Sequence, residues 1–252
     1  CDEFGKCQNV FYENFGNKEI VNDWKLNKGE NYNSYIIEGE GLLFENTSED
    51  YIYKKTINIP LNLNKDFSIE TTINFKSGNQ KNSHGLIWGV KDWDNYYYFF
   101  ISANGYYRIG GATEGLKLEF TKWKYTSAIN QTFNRNNIKI LRVKDKLLFA
   151  INGTLVHSED FYAFHGNNIG FATSGKKSVL FENLIVKQDI ENNLVADNIP
   201  SSVYGDWKGN GTGFFISKDG YLATNYHVVA EATEIEIEFI RNGQKQNYKA
   251  KV

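Results

Sequence analysis

The clearest regularity in the chain is a period of two. In residues 68–75 (SIETTINF), Ile69, Thr71, Ile73 and Phe75 alternate with Glu70, Thr72 and Asn74, which predicts a strand with one face in a core and the other in water. Residues 85–90 (GLIWGV), 96–102 (YYYFFIS) and 106–110 (YYRIG) follow, separated by the turn sequences KDWDN at 91–95 and ANG at 103–105. They predict a three-stranded antiparallel meander. A second set of strands is expected at 137–144, 146–151, 154–157, 168–173 and 179–187, with Asn152-Gly153 as a hairpin turn. No segment sustains a helical 3.6-residue period. Short strands at regular spacing predict an all-β fold, a sandwich or barrel and not a parallel sheet.

Residues 10–187 carry this texture. Several stretches within them resemble the concanavalin A-like, laminin G-type jelly-roll sandwiches of bacterial secreted proteins: FYENF at 11–15 with Trp24, the strand SIETTINF, the GLIWGV/YYYFFIS/YYRIG meander, and NNIGFATSGKKSVLFENLIVK at 167–187. The resemblance implies two stacked antiparallel sheets and a carbohydrate- or protein-binding role. Residues 1–9 then form a tail. Residues 188–202 lose the alternation and contain Pro200, as a linker does.

Residues 203–252 read differently. A strand at 211–217 (GTGFFIS), a turn at 218–220 and a strand at 221–229 (YLATNYHVV) that ends at a histidine resemble the start of trypsin-like serine proteases of the HtrA type. The resemblance implies a partial β-barrel with His227 as general base. In that chemistry the histidine takes a proton from a serine hydroxyl, an aspartate fixes its tautomer, and backbone N–H groups hold the oxyanion. The family order is His, Asp, Ser, yet no Asp, Ser or Cys follows His227 in this chain. The chain is therefore expected not to hydrolyse peptides, and a peptide substrate belongs to a longer parent endopeptidase. Glu234, Glu236 and Glu238 fall on one face of a strand and resemble the E-x-D-x-E signature of concanavalin A-like glycoside hydrolases, with Glu in place of the central Asp. The simpler reading of that segment is a strand with Ile235 and Ile237 turned inward.

Composition narrows the partners. Of 252 residues, 28 are basic and 30 acidic, a formal net charge of -2, which lacks the electrostatic footprint of a nucleic-acid binder. No apolar run reaches the ~18 residues that a membrane-spanning helix needs. Aromatic residues make up 15%, as pleated, half-buried surfaces favour. Among them Trp88, Trp93, Tyr96, Tyr98, Tyr106 and Tyr107 cluster in the meander. Most are expected in the core; Trp93, between Asp92 and Asp94, is the leading candidate for contact with a glycan or protein ligand. The same turn offers Asp92 and Asp94 as oxygen ligands for Ca²⁺, or it is an Asx turn that caps itself. His84, His157 and His165 lie near strand ends and are expected to be surface or packing residues. The scattered histidines and two cysteines make no metal framework.

Met is absent and the cysteines are Cys1 and Cys7 alone. A chain that opens Cys1-Asp2-Glu3 resembles a bacterial lipoprotein after signal cleavage, which implies a lipid on Cys1, an extracytoplasmic or cell-envelope location, and membrane contact through that anchor. A Cys1–Cys7 disulfide and two free thiols are the alternatives.

Overall fold

The computed structural model describes residues 9–16, 24–26, 28–188, 213–215, 217, 220–224, 229, 235–241 and 244–251. Contacts divide the chain into two units, Cys1–Ile199 and Pro200–Val252.

Among the described residues of the first unit sixteen strands run in chain order: β1 (Asn9–Glu13), β2 (Tyr32–Ile37), β3 (Gly41–Asn46), β4 (Ile52–Asn58), β5 (Phe67–Gly78), β6 (His84–Asp92), β7 (Asn95–Ile101), β8 (Tyr106–Thr113), β9 (Leu116–Glu119), β10 (Lys124–Tyr125), β11 (Arg135–Val143), β12 (Lys146–Ile151), β13 (Thr154–Asp160), β14 (Asn168–Ser174), β15 (Lys177–Phe181) and β16 (Leu184–Gln188). They form two antiparallel sheets. The nine-stranded one follows the order β13-β12-β11-β5-β15-β3-β2, with β16 joining β5 to β1. The seven-stranded one follows β10-β8-β7-β6-β14-β4, with β9 beside β8. The chain repeatedly crosses between sheets, as at β3 to β4, β5 to β6 and β13 to β14, and so builds a jelly-roll sandwich.

The alternation expected of residues 68–75 holds: Ile69, Thr71, Ile73 and Phe75 are buried and Glu70, Thr72 and Asn74 are partly exposed. Their partners come from the other sheet, and together they make one dry core. Phe171 of β14 stands near its centre. It stacks on Phe181 at 4.1 Å and on Trp24 at 5.2 Å, with near-parallel rings. Each such side chain gains roughly 1.5–3 kcal/mol on burial. The Asn152-Gly153 turn also forms as expected. Both residues have positive φ (50° and 78°), which suits a two-residue hairpin whose twist matches its strands, and Asn152 Oδ1 accepts from Asn137 N at 2.8 Å.

One expectation changes. The run 179–187 is two strands, not one. Glu182 N donates to Thr72 O, Thr72 N donates to Asn183 Oδ1, and Thr71 Oγ1 donates to Asn183 O, so the β5 edge is bonded here to a step in the chain. β5 therefore pairs with β15 along one part of its length and β16 along another. His84, expected at the surface or in packing, is a packing residue: it is 2% exposed and lies beside the equally buried Lys177, whose Nζ is 3.2 Å from His84 Nδ1. Burial, then the neighbouring ammonium, holds the His84 pKa well below its ordinary value, and burial lowers that of Lys177 likewise.

The second unit shows two strand pairs among its described residues. There β17 (Gly213–Phe215) pairs antiparallel with β18 (Leu222–Thr224), and β19 (Ile235–Arg241) pairs with β20 (Gln244–Ala250). β18 is described as far as Thr224, and residues 225–228, over which the strand was expected to reach the histidine, lie outside the described residues.

Candidate functional site

The seven-stranded sheet has a second apolar cluster that the core does not include. Ile87, Val90, Tyr98 and Ala172 are buried together, with Tyr96 and Phe100 packed against them. All six come from β6, β7 and β14. On β7, Tyr97, Phe99 and Ile101 enter the core between the sheets, so Tyr96, Tyr98 and Phe100 line the opposite, outward face by the strand's period of two. Tyr98 stacks on Phe100 at 4.6 Å, and the Tyr96 ring is 6.4 Å from Tyr98. Burial raises the phenol pKa of both Tyr96 and Tyr98.

Small residues flank this aromatic row. Gly110 of β8 pairs with Tyr98, and a Cβ there would stand 2.6 Å from the Tyr98 hydroxyl, so the ring lies across a position that only glycine leaves open. On the other side lie Gly170 and Ala172 of β14. Beyond the small residues the rim is charged. Lys54 of β4 reaches back until its Nζ is 4.3 Å from the centroid of the Trp93 ring and 4.8 Å from that of Tyr96, within cation–π range. Desolvation lowers its pKa. On the far rim Arg108 bonds Glu119, which Lys117 also approaches at 3.1 Å. The hydrogen bond from Lys117, then that from Arg108, lowers the Glu119 pKa.

Trp93 stands at the end of this row, 51% exposed, in the β6–β7 turn. Asp92 Oδ1 accepts from Asp94 N at 3.0 Å and from Asn95 Nδ2 at 2.9 Å, and these bonds, that of Asn95 first, lower its pKa. Asn95 Oδ1 in turn accepts from Glu114 N at 3.0 Å, and Asp94 O from Gly115 N. The Asp92–Asn95 turn is thus closed by its own side chains and tied to the β8–β9 turn, which fixes the base of Trp93. Among the described residues no three His, Cys, Asp or Glu side chains are grouped to hold a metal.

Of the residues singled out in the sequence, Trp93 is at the surface beside Tyr96, Asp92 locks the turn, and Asp94 contributes backbone to it. Trp88 and Tyr107 are core residues and Tyr106 is exposed elsewhere. Cys1, Cys7, His227 and Glu234 lie outside the described residues. Lys54 was not visible to sequence reasoning. It reaches Trp93 only because β4 pairs with β14 and β14 with β6, a relation that local pattern does not encode.

No family model matches the sequence, and no curated protein matches it. Solved structures do. The carbohydrate recognition domain of Emp46p superposes with a TM-score of 0.51 at 11% identity, over 72% of this chain and 97% of that one. A carbohydrate esterase, vb_24B_21 of the Shiga toxin-encoding bacteriophage phi24B, gives 0.50 at 10% identity, over 73% and 99%. The carbohydrate binding module CBM66 from Bacillus subtilis gives 0.47 at 16%, over 62% and 95%. At such identities the first two establish the fold alone: this chain contains an all-β, antiparallel jelly-roll sandwich.

Proposed function

We propose that the sandwich is a glycan-binding module whose ligand rests on Trp93 and Tyr96, against the rim formed by Lys54. The observation that carries this reading is the half-exposed indole of Trp93, held by a self-closed turn on a face that the core does not use. An aromatic face takes the C–H side of a pyranose, while ammonium, guanidinium and carboxylate groups beside it bond hydroxyls. The Emp46p and phage structures, whose names attach them to carbohydrate, support the choice of ligand class. The test is a glycan array with the 252-residue chain, followed by titration of Trp93→Ala against the best hit. A blank array, or unchanged affinity in Trp93→Ala, ends the reading; a loss of tenfold or more is expected.

A second reading concerns residues 203–252. The antiparallel pair β17 and β18, with Gly220 at positive φ in its turn, supports the trypsin-like resemblance, in which His227 is general base for a longer, exported parent. Labelling of that parent by a serine-directed fluorophosphonate is the measurement; no labelling, or labelling unaffected by His227→Ala, ends it. Lipid on Cys1 is a separate matter, read by metabolic incorporation of a fatty acid that Cys1→Ser abolishes.

A further inference from the structure

Residues 120–135 (FTKWKYTSAINQTFNR) contain Lys122, Lys124 and Arg135 and no carboxylate, in a chain whose net charge is -2. The segment folds over the β7–β8 turn, where Thr126 N donates to Gly105 O at 3.0 Å and Thr132 N to Ala103 O at 2.8 Å. This gathers four rings at the end of β7 remote from Trp93: Trp123 is 39% exposed, Tyr125 58%, Phe133 61% and Tyr106 39%. Tyr125 packs on Gly105, where a Cβ would come within 2.9 Å of the ring, and meets Tyr106 edge-on at 5.6 Å. Phe133 stacks on the buried Phe75 at 5.8 Å. The rings are therefore held out from the surface by the fold.

The loop's amides serve the loop. Asn130 Nδ2 donates to Arg135 O, Asn134 Nδ2 to Gln131 O, and Gln131 Nε2 to the Tyr125 hydroxyl. Arg135 is held by Glu182 at 2.6 Å. Four rings are exposed here, and the exposed Lys122 and Lys124 flank Trp123 in the chain, Lys124 on the side of β10 opposite to Tyr125; neither lysine has a carboxylate within ion-pair distance among the described residues. A glycan site needs convergent polar side chains to read hydroxyls, and here they are committed. Trp and Tyr with their polar edges suit the headgroup level of a bilayer, and lysines beside them are attracted by its negative surface at about 1 kcal/mol each.

We propose that this end of the sandwich docks on an anionic lipid bilayer, with Trp123, Tyr125, Phe133 and Tyr106 entering the headgroup layer and Lys122 and Lys124 against the acidic lipids. Tyr106 shares the outward face of Arg108 but lies at the opposite end of β7 from Trp93, so substitutions at the two ends test the two readings separately. The test is co-sedimentation of the full 252-residue chain with vesicles of phosphatidylcholine alone or with about one-third phosphatidylserine. Retention is expected on the anionic vesicles only, and it falls as salt rises. The pair Lys122→Glu with Lys124→Glu lowers partitioning about tenfold or more, and Trp123→Ala with Phe133→Ala lowers it further. Leu116→Ala, which removes an exposed apolar side chain at the start of β9, leaves it unchanged. The milder pair Lys122→Gln with Lys124→Gln guards against a folding artefact and must also weaken retention. Equal retention on neutral vesicles, none on anionic ones at low salt, a charge-reversed chain that partitions like wild type, or capture by heparin with the vesicles blank would each overturn the proposal.

Discussion

The two faces of β7 carry almost the same chemistry and have different fates. Inward, Tyr97, Phe99 and Ile101 meet side chains from the facing sheet; outward, Tyr96, Tyr98 and Phe100 meet only neighbours on their own sheet. The inward cluster spans both sheets. The outward one holds four buried residues, ringed by glycine, alanine and charge. The difference teaches that aromatic content alone does not mark a core: what decides is whether a second layer covers the rings. Burying the outward row further would take a partner, which is the physical basis for reading it as a contact surface.

The sharpest way to break this comparison is to remove a large side chain from each face. Phe171→Ala, at the centre of the inward cluster, is expected to cost about 3–5 kcal/mol in urea unfolding, and Tyr98→Ala clearly less. Equal costs would make the outward row core in energetic terms. Next comes pH. His84 is buried neutral beside Lys177, so below about pH 6.5 the unfolded chain takes up a proton that the folded chain refuses, and stability falls as pH drops. For Lys177 the same sign applies from about pH 10.5 downward. Melting temperatures from pH 8 to 5 should decline, with a shallower slope in His84→Gln; equal slopes would remove His84 from the account. Smallest is Lys54→Ala. Loss of its contact with Trp93 and Tyr96 is expected to cost about 0.5–1 kcal/mol, while glycan affinity drops measurably in the same titration used for Trp93→Ala. A change in stability with no change in affinity would make the rim structural only.

Much of the sandwich was legible in the sequence because its strands announce themselves locally. Residues 68–75 alternate, Asn152-Gly153 can form only one kind of tight turn, and the meander of β6, β7 and β8 is punctuated by Asp, Asn and Gly. β2, β3 and β4 were not anticipated. Their residues mix polar and apolar positions without clean alternation, as in YNSYII and IYKKTIN, and the pairing of β3 with β15 and of β4 with β14 depends on chain more than a hundred positions away. The site divided along the same line. Trp93 stood out from its turn, whereas Lys54, Arg108 and Glu119 became neighbours of the aromatic row only through sheet pairing. The buried contact of His84 with Lys177 was missed for the same reason, since it joins β6 in one sheet to β15 in the other.

One glycine near the end of β6 governs which way the site looks. Between Ile87 and Val90 the strand holds one residue more than β14 opposite, the pairs being Asn168 with Val90 and Gly170 with Ile87, and Gly89 sits there at a φ of 60°. Such a bulge shifts the parity of every residue that follows. With it, Val90 joins Ile87 on the outward face although the two are three apart. A residue at position 89 that cannot hold this φ favours a strand paired residue for residue with β14, and in that register Val90 would turn inward. Deleting Gly89 would do the opposite, leaving Val90 two positions from Ile87 and still outward, so this surface tolerates loss of that residue better than its replacement.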